Sequence, residues 1–81
     1  MAEVRSPMTG TVVRVLAPGT AVVSATPVAV IESMKMEYAV EAGADGAVDV
    51  VRVAVGDTVQ AGELLAVVAP GSPVPAAATA P

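Results

Sequence analysis

The 81 residues contain no cysteine and no histidine. Without cysteine there is no disulfide, no thiolate metal site and no thiol nucleophile, and without histidine no imidazole base or ligand near neutral pH. Serine–histidine hydrolysis, zinc hydrolysis and cysteine catalysis are therefore excluded. A carboxylate pair could still do acid–base work, but a chain this short has little concave surface in which to shift its pKa. Tyr38 is the only aromatic residue, and the basic residues Arg5, Arg14, Lys35 and Arg52 face eight acidic ones, for a formal charge of −4. Nucleic-acid surfaces combine basic patches with stacking aromatics, so no nucleic-acid partner is expected. The longest uncharged stretches, Val15 to Ile31 and Leu64 to Pro81, are broken by prolines and by Gly19 or Gly71, and neither reads as a membrane span. The opening Met-Ala-Glu-Val-Arg has no apolar signal segment, which makes the cytoplasm the expected location.

Valine dominates what is present, and β-branched side chains favour extended backbone over helix. Strands are expected at Ala2 to Ser6, Thr11 to Leu16, Ala21 to Val23, Val28 to Ser33, Met36 to Glu41, Ala47 to Val53 and Leu64 to Val68, with a short extended piece at Thr58 to Gln60. Between them stand the turn signals Pro18-Gly19, Ala25-Thr26-Pro27, Gly43-Ala44-Asp45-Gly46, Gly56-Asp57 and Ala61-Gly62. No stretch shows a clean helical period with capping residues, so almost no helix is expected. One domain covers residues 1–69, with a thin core, because a chain of this size buries only about 60% of its unfolded surface. Residues 70–81, rich in proline and alanine, read as a flexible tail or linker.

The chain also aligns with itself. Gly10 and Val12 match Gly46 and Val48 at an offset of 36, after which Gly19, Val22, Val28 and Val30 match Gly56, Val59, Leu65 and Val67 at 37. One residue is thus missing from the first copy between Gly10 and Gly19. Two such halves can fold as an all-β flattened barrel in which each supplies strands to both sheets, leaving few free edges. At the second offset, Met34 to Met36 correspond to Gly71 to Pro73, a turn in one copy and the chain exit in the other. The turn and the chain ends are therefore expected at opposite ends of the molecule.

Between two strand-like runs lies Glu32-Ser33-Met34-Lys35-Met36-Glu37-Tyr38, which holds the single lysine. Strict alternation would make it an ordinary strand, with Met34 and Met36 inward and Lys35 outward. A reversal of direction here would instead leave methionine surface in water, where flexible thioethers suit recognition of a partner. Glu32, Glu37 and Glu41 would then steer partners electrostatically or simply keep a half-exposed strand soluble. Tyr38 reads as half-buried packing.

The heptapeptide resembles the attachment site of the biotinyl domain family, the biotin carboxyl carrier proteins and related biotinyl/lipoyl attachment domains. In that family a Met-Lys-Met tripeptide, usually preceded by Glu-Ala, sits at a hairpin tip. Pro7-Met8-Thr9-Gly10 is similar to the family's Pro-Met-x-Gly, and Gly56-Asp57-Thr58-Val59-Gln60-Ala61-Gly62-Glu63-Leu64 to its Gly-Asp-x-Val-x-x-Gly-x-x-Leu. The resemblance covers roughly residues 4 to 69. It implies a barrel-sandwich hybrid with the lysine on an exposed hairpin, and there is no insertion that could form the protruding thumb of some members. It also implies covalent biotin on Lys35, recognition of Met34 and Met36 by biotin protein ligase, and Glu32 and Ser33 as the hairpin flank. The expected partners are that ligase, a biotin carboxylase and a carboxyltransferase acting on an acyl-CoA or a keto acid; the chain itself would be a carrier, not an enzyme.

Some positions depart from the family pattern. Ser33 replaces the usual alanine, a change between small residues. Gly19-Thr20 stands where Gly-Asp is common, and Ala25 stands where the second half has Gly62. If that turn needs a left-handed residue, alanine is strained by about 1 kcal/mol or more, so a different local turn is expected there. Two other readings stay open: a lipoyl carrier, whose tip typically reads Asp-Lys-Ala, and an unmodified β-sandwich adaptor.

Overall fold

A computed structural model describes residues 2–71, and every regular element among them is a strand. In chain order these are β1 (Ala2–Arg5), β2 (Gly10–Val15), β3 (Ala21–Val22), β4 (Pro27–Ser33), β5 (Met36–Glu41), β6 (Gly46–Val51), β7 (Thr58–Val59) and β8 (Leu64–Pro70). They form two four-stranded sheets, β1-β8-β6-β3 and β5-β4-β2-β7, with antiparallel pairing throughout. Each half of the chain places two strands at the centre of one sheet and two at the edges of the other. Advancing every strand number by four, cyclically, converts one sheet order into the other, which is the two-fold repeat expressed as topology.

The repeat extends to backbone detail. The β2–β4 register shifts between Val12 and Arg14, and the β6–β8 register shifts between Val48 and Val50, at the same offset of 36. Val12 N–H donates to the Asp57 carbonyl at 2.8 Å, and Val48 N–H to the Thr20 carbonyl at 2.9 Å. Leu16 N–H reaches the Val28 carbonyl, and Arg52 N–H that of Leu65, at 2.9 and 2.8 Å. These last bonds lie just beyond β2 and β6, so the apolar pattern continues past the point where regular pairing stops. The missing residue falls in the loop after Leu16, since Leu16 matches Arg52 at 36 whereas Ala17 and Ala54, which accept from Thr20 and Asp57, match at 37.

The core lies between the sheets and consists mostly of matched pairs, with Val4 and Ala42 added to them. Val12 and Val48, Val22 and Val59, Val28 and Leu65, Ala29 and Ala66, and Ile31 and Val68 are all buried. Alternation turns most of these side chains inward and their neighbours out, except that Val28 and Ala29, and equivalently Leu65 and Ala66, are buried in succession. Burying a Val, Leu or Ile side chain contributes about 1.5–3 kcal/mol, so a core this small depends on every pair. Two glycines let neighbouring central strands approach closely, β2 on β4 in one sheet and β6 on β8 in the other. A Cβ on Gly10 would run into the Glu32 carbonyl and the Ile31 side chain, and one on Gly46 into the Ala69 carbonyl. Glu32 and Ala69 are themselves equivalent positions.

The halves differ where the sequence indicates. Gly62 has φ +87 and donates to the Ser6 carbonyl at 2.7 Å, whereas Ala25 has no positive φ. Around Ala25 the turn is held otherwise, by Gly43 N–H to the Ser24 carbonyl at 2.8 Å and by Ser24 N–H to the Asp45 carboxylate at 2.8 Å. Thr20 likewise departs from Asp57. The Asp57 carboxylate accepts from Ala54 N–H at 2.9 Å, while the Thr20 hydroxyl donates to the Ala17 carbonyl at 2.6 Å.

The chain exit, meaning the end of the described residues at Gly71, is tied to the fold. β8 runs to Pro70, which pairs with Gly46, and Gly71 N–H donates to the Asp45 carbonyl at 3.0 Å. The rest of the expected tail, 72–81, lies outside the described residues. Asp45 follows the end of β5 that is remote from Met36, so the exit and the β4–β5 turn stand at opposite ends of a strand about 20 Å long.

Candidate functional site

β4 and β5 are joined by two residues, with Ser33 paired to Met36 and only Met34 and Lys35 between them. Both have positive φ, 53° for Met34 and 66° for Lys35, and no other non-glycine residue among those described does. Positive φ at both central positions is the mark of the type I′ hairpin loop, whose twist matches that of the flanking strands and which normally uses Asn-Gly. Side chains with a Cβ are strained there by about 1–2 kcal/mol each. The turn persists because Ser33–Met36, Glu32–Glu37, Ile31–Tyr38, Val30–Ala39 and Ala29–Val40 clamp it in register, with Ile31 and Ala29 locked in the core.

The strained loop throws two consecutive side chains away from the barrel. Met34 is 92% exposed, Lys35 is exposed, and Met36 is 58% exposed. The alternation that would turn both methionines inward is interrupted, because β4 ends at Ser33 and β5 begins at Met36. Among the described residues the one ion pair joins Arg5 to Glu3 at 2.9 Å, so Lys35 has no carboxylate partner, and no hydrogen bond holds its ammonium. The amine stands on convex surface: the described residues form no pocket and no cluster of potential metal ligands.

The flank of the tip is more structured. Glu32 and Glu37 face each other directly across β4 and β5, a like-charge pair that opposes the hairpin. Both are exposed, as is Glu41 at the far end of β5, while Ser33 is half-buried. Tyr38 is half-buried as expected, and its hydroxyl donates to Met36 Sδ at 3.6 Å, a contact that composition and period do not disclose. Counting back from the Ser33–Met36 pair would have signalled the facing glutamates. Beside the tip, the buried Ser6 hydroxyl donates to the Met8 carbonyl and shapes the Pro7–Thr9 bend that leads into Gly10. The bare Gly10 then lets β2 approach the Glu32 backbone.

Comparison with known proteins places this geometry. Residues 2–68 match the biotin/lipoyl attachment family model described as "Biotin-requiring enzyme". The chain is 48% identical over 62 residues to the human mitochondrial propionyl-CoA carboxylase alpha chain, covering 75% of this chain and 8% of that protein. It is 58% identical over 38 residues to the biotinylated protein TB7.3 homolog of Mycobacterium leprae (strain TN), covering 47% of this chain and 54% of that one. Among solved structures, a single-chain, multi-domain long-chain acyl-CoA carboxylase superposes with a TM-score of 0.76 at 30% identity, covering 79% of this chain and 7% of the other. The chain thus spans less than a tenth of the two carboxylases and about half of the mycobacterial relative. A flattened barrel of two repeated halves, a lysine on a two-residue turn and a family match along nearly all of the described residues converge: the chain belongs to the biotin/lipoyl attachment domains of the biotin-requiring enzymes.

Proposed function

We propose that Lys35 Nζ is the amine to which biotin is joined, and that the loaded domain carries a carboxyl group from a biotin carboxylase to the carboxyltransferase of an acyl-CoA carboxylase or a related enzyme. The observation that carries this reading is the single lysine, exposed, without an ion-pair partner among the described residues, and set on a strained two-residue turn at the end of the domain remote from Gly71. Strain at a well-clamped position is most simply explained by use. An amine must enter another protein's active site to be acylated, and a protruding turn achieves this where a pocket cannot.

An alkyl ammonium is not nucleophilic, so biotin protein ligase supplies the desolvation or base that frees the Nζ lone pair. Nζ then attacks the activated carboxyl of biotin, and the C–N bond forms as the bond to the activating group breaks and that group leaves. The surplus proton passes to the base or to water, and the resulting amide carries no charge. The exposed thioethers of Met34 and Met36 offer the ligase adaptable apolar surface, while Ser33 and Glu32 fix the approach from β4. Once attached, the group supplies a ureido ring that takes up and releases a carboxyl unit. The lysine stem and the turn keep that ring within reach of two active sites, raising its effective concentration at each. Loss of the lysine charge makes the tip more acidic, which favours docking on basic surfaces.

Met34 and Met36, together with relatives that carry biotin in their names, favour biotin over lipoate. Intact mass before and after incubation with biotin ligase, biotin and ATP tests the proposal. One biotinyl addition is expected on the native chain and none on Lys35→Arg, which preserves the charge. A lipoyl addition with lipoate ligase would support the lipoyl reading, and no addition with either ligase would support an unmodified adaptor.

A further inference from the structure

Met34 and Met36 flank the same amine in unequal settings. Met34 is 92% exposed and no hydrogen bond from the described residues engages its sulfur, because the left-handed backbone at φ 53° points it into solvent. Met36 is 58% exposed, and its Sδ accepts the Tyr38 hydroxyl at 3.6 Å. Met8 is half-buried against the core. Oxidation of a thioether requires access to the sulfur and a free lone pair, and a hydrogen bond to sulfur withdraws density from that pair.

We propose that Met34 is a hydroperoxide-sensitive modification site that gates acylation of Lys35, with Met36 protected by Tyr38. The inference rests on the assignment of Lys35 as the attachment amine. In the reaction a lone pair of Met34 Sδ attacks the terminal oxygen of a hydroperoxide. An S–O bond forms as the O–O bond breaks, the proton passes to the departing oxygen, and the sulfur loses two electrons while the peroxide becomes an alcohol or water. The product is a polar, chiral sulfoxide directly beside the amine, reversible by sulfoxide reductases. A ligase surface that buries an apolar methionine must then bury an unpaired polar oxygen instead. Tyr38 acts here as a positioning residue, holding the Met36 sulfur and leaving the Met34 thioether as the more responsive of the two at the tip.

The test treats the full chain with limiting hydrogen peroxide and then cleaves after Glu32 and Glu37, so that Ser33 to Glu37 is recovered as one peptide for mass mapping. Met34 sulfoxide is expected to form about threefold faster than Met36 sulfoxide, and Met8 should react more slowly still. Tyr38→Phe, which keeps the ring, should raise the Met36 rate about twofold and leave that of Met34 unchanged. Oxidised protein should be acylated by biotin ligase about tenfold more slowly than untreated protein, with recovery after reduction. In Met34→Leu the ratio of treated to untreated rates should stay at one, whatever the absolute rate. Equal oxidation of Met34 and Met36, or a Met34→Leu chain that still loses rate after peroxide, overturns the proposal. Unchanged acylation of the oxidised chain overturns the gating alone, whereas failure of untreated chain to be acylated overturns the attachment assignment and the gating with it.

Discussion

Glu32, Thr11 and Thr58 form one row across β4, β2 and β7 near the tip, and Ala69, Ala47 and Ala21 occupy the equivalent row of β8, β6 and β3 near the chain exit. The residues beneath them, Ile31, Val12 and Val59 in one sheet and Val68, Val48 and Val22 in the other, are buried alike. The inward positions are thus nearly interchangeable between halves, and the outward ones are not. A repeated frame constrains what fills the core, whereas polarity and chemistry are free to diverge on the surface. Here the facing glutamates and the single lysine stand at one end, while the equivalent row at the other end holds small alanines near the last described residues.

The close approaches at Gly10 and Gly46 give that comparison its severest test. Gly46→Ala drives a methyl into the Ala69 carbonyl and should cost about 3 kcal/mol in urea unfolding, with Gly10→Ala costing about 2 kcal/mol. Tolerance of either would show that the two halves do not share the requirement. At the tip the sign reverses. Replacing Met34-Lys35 by Asn-Gly removes two strained left-handed residues and should stabilise the fold by about 2 kcal/mol, read as a higher urea midpoint, while abolishing acylation. No gain would mean that the turn carries no strain. The unequal turns at Gly62 and Ala25 come next. Gly62→Ala should destabilise by about 1 kcal/mol because of its φ, and Ala25→Gly by about 0.5 kcal/mol through the unfolded chain's added freedom. A stabilising Ala25→Gly would reveal strain at a residue that looks relaxed. The smallest effect belongs to the facing glutamates. Glu37→Gln should stabilise the hairpin by about 0.5 kcal/mol in thermal melts, and the gain should shrink at high salt.

Much of this was legible in advance because the controlling signals are local. Period-two valines between Gly and Pro punctuation locate all eight strands to within about two residues, and the glycine offsets locate both halves. The substitution of Ala25 for glycine was enough to foresee an altered turn, since only backbone handedness is at issue. Other features depend on what the whole molecule imposes. Nothing about Met34 or Lys35 announces a left-handed backbone; the clamp supplied by Ile31 and Ala29 in the core forces it. The register shifts beside Val12 and Val48 answer to sheet twist, and the hold of Tyr38 on Met36 depends on which face the tyrosine takes after the turn. Expected strand ends at Leu16 and Val53 overshoot because apolar residues continue past the last paired position.

The interlocking of the halves makes this molecule a natural split pair. Each half contributes the two inner strands of one sheet and the two outer strands of the other, so neither retains a complete layer when separated. Peptides divided between Met34 and Lys35 would each be left with bare valine surface and unpaired strand edges, and would complete one another only by coming together. The fold is therefore expected to melt as one cooperative body, without a stable half.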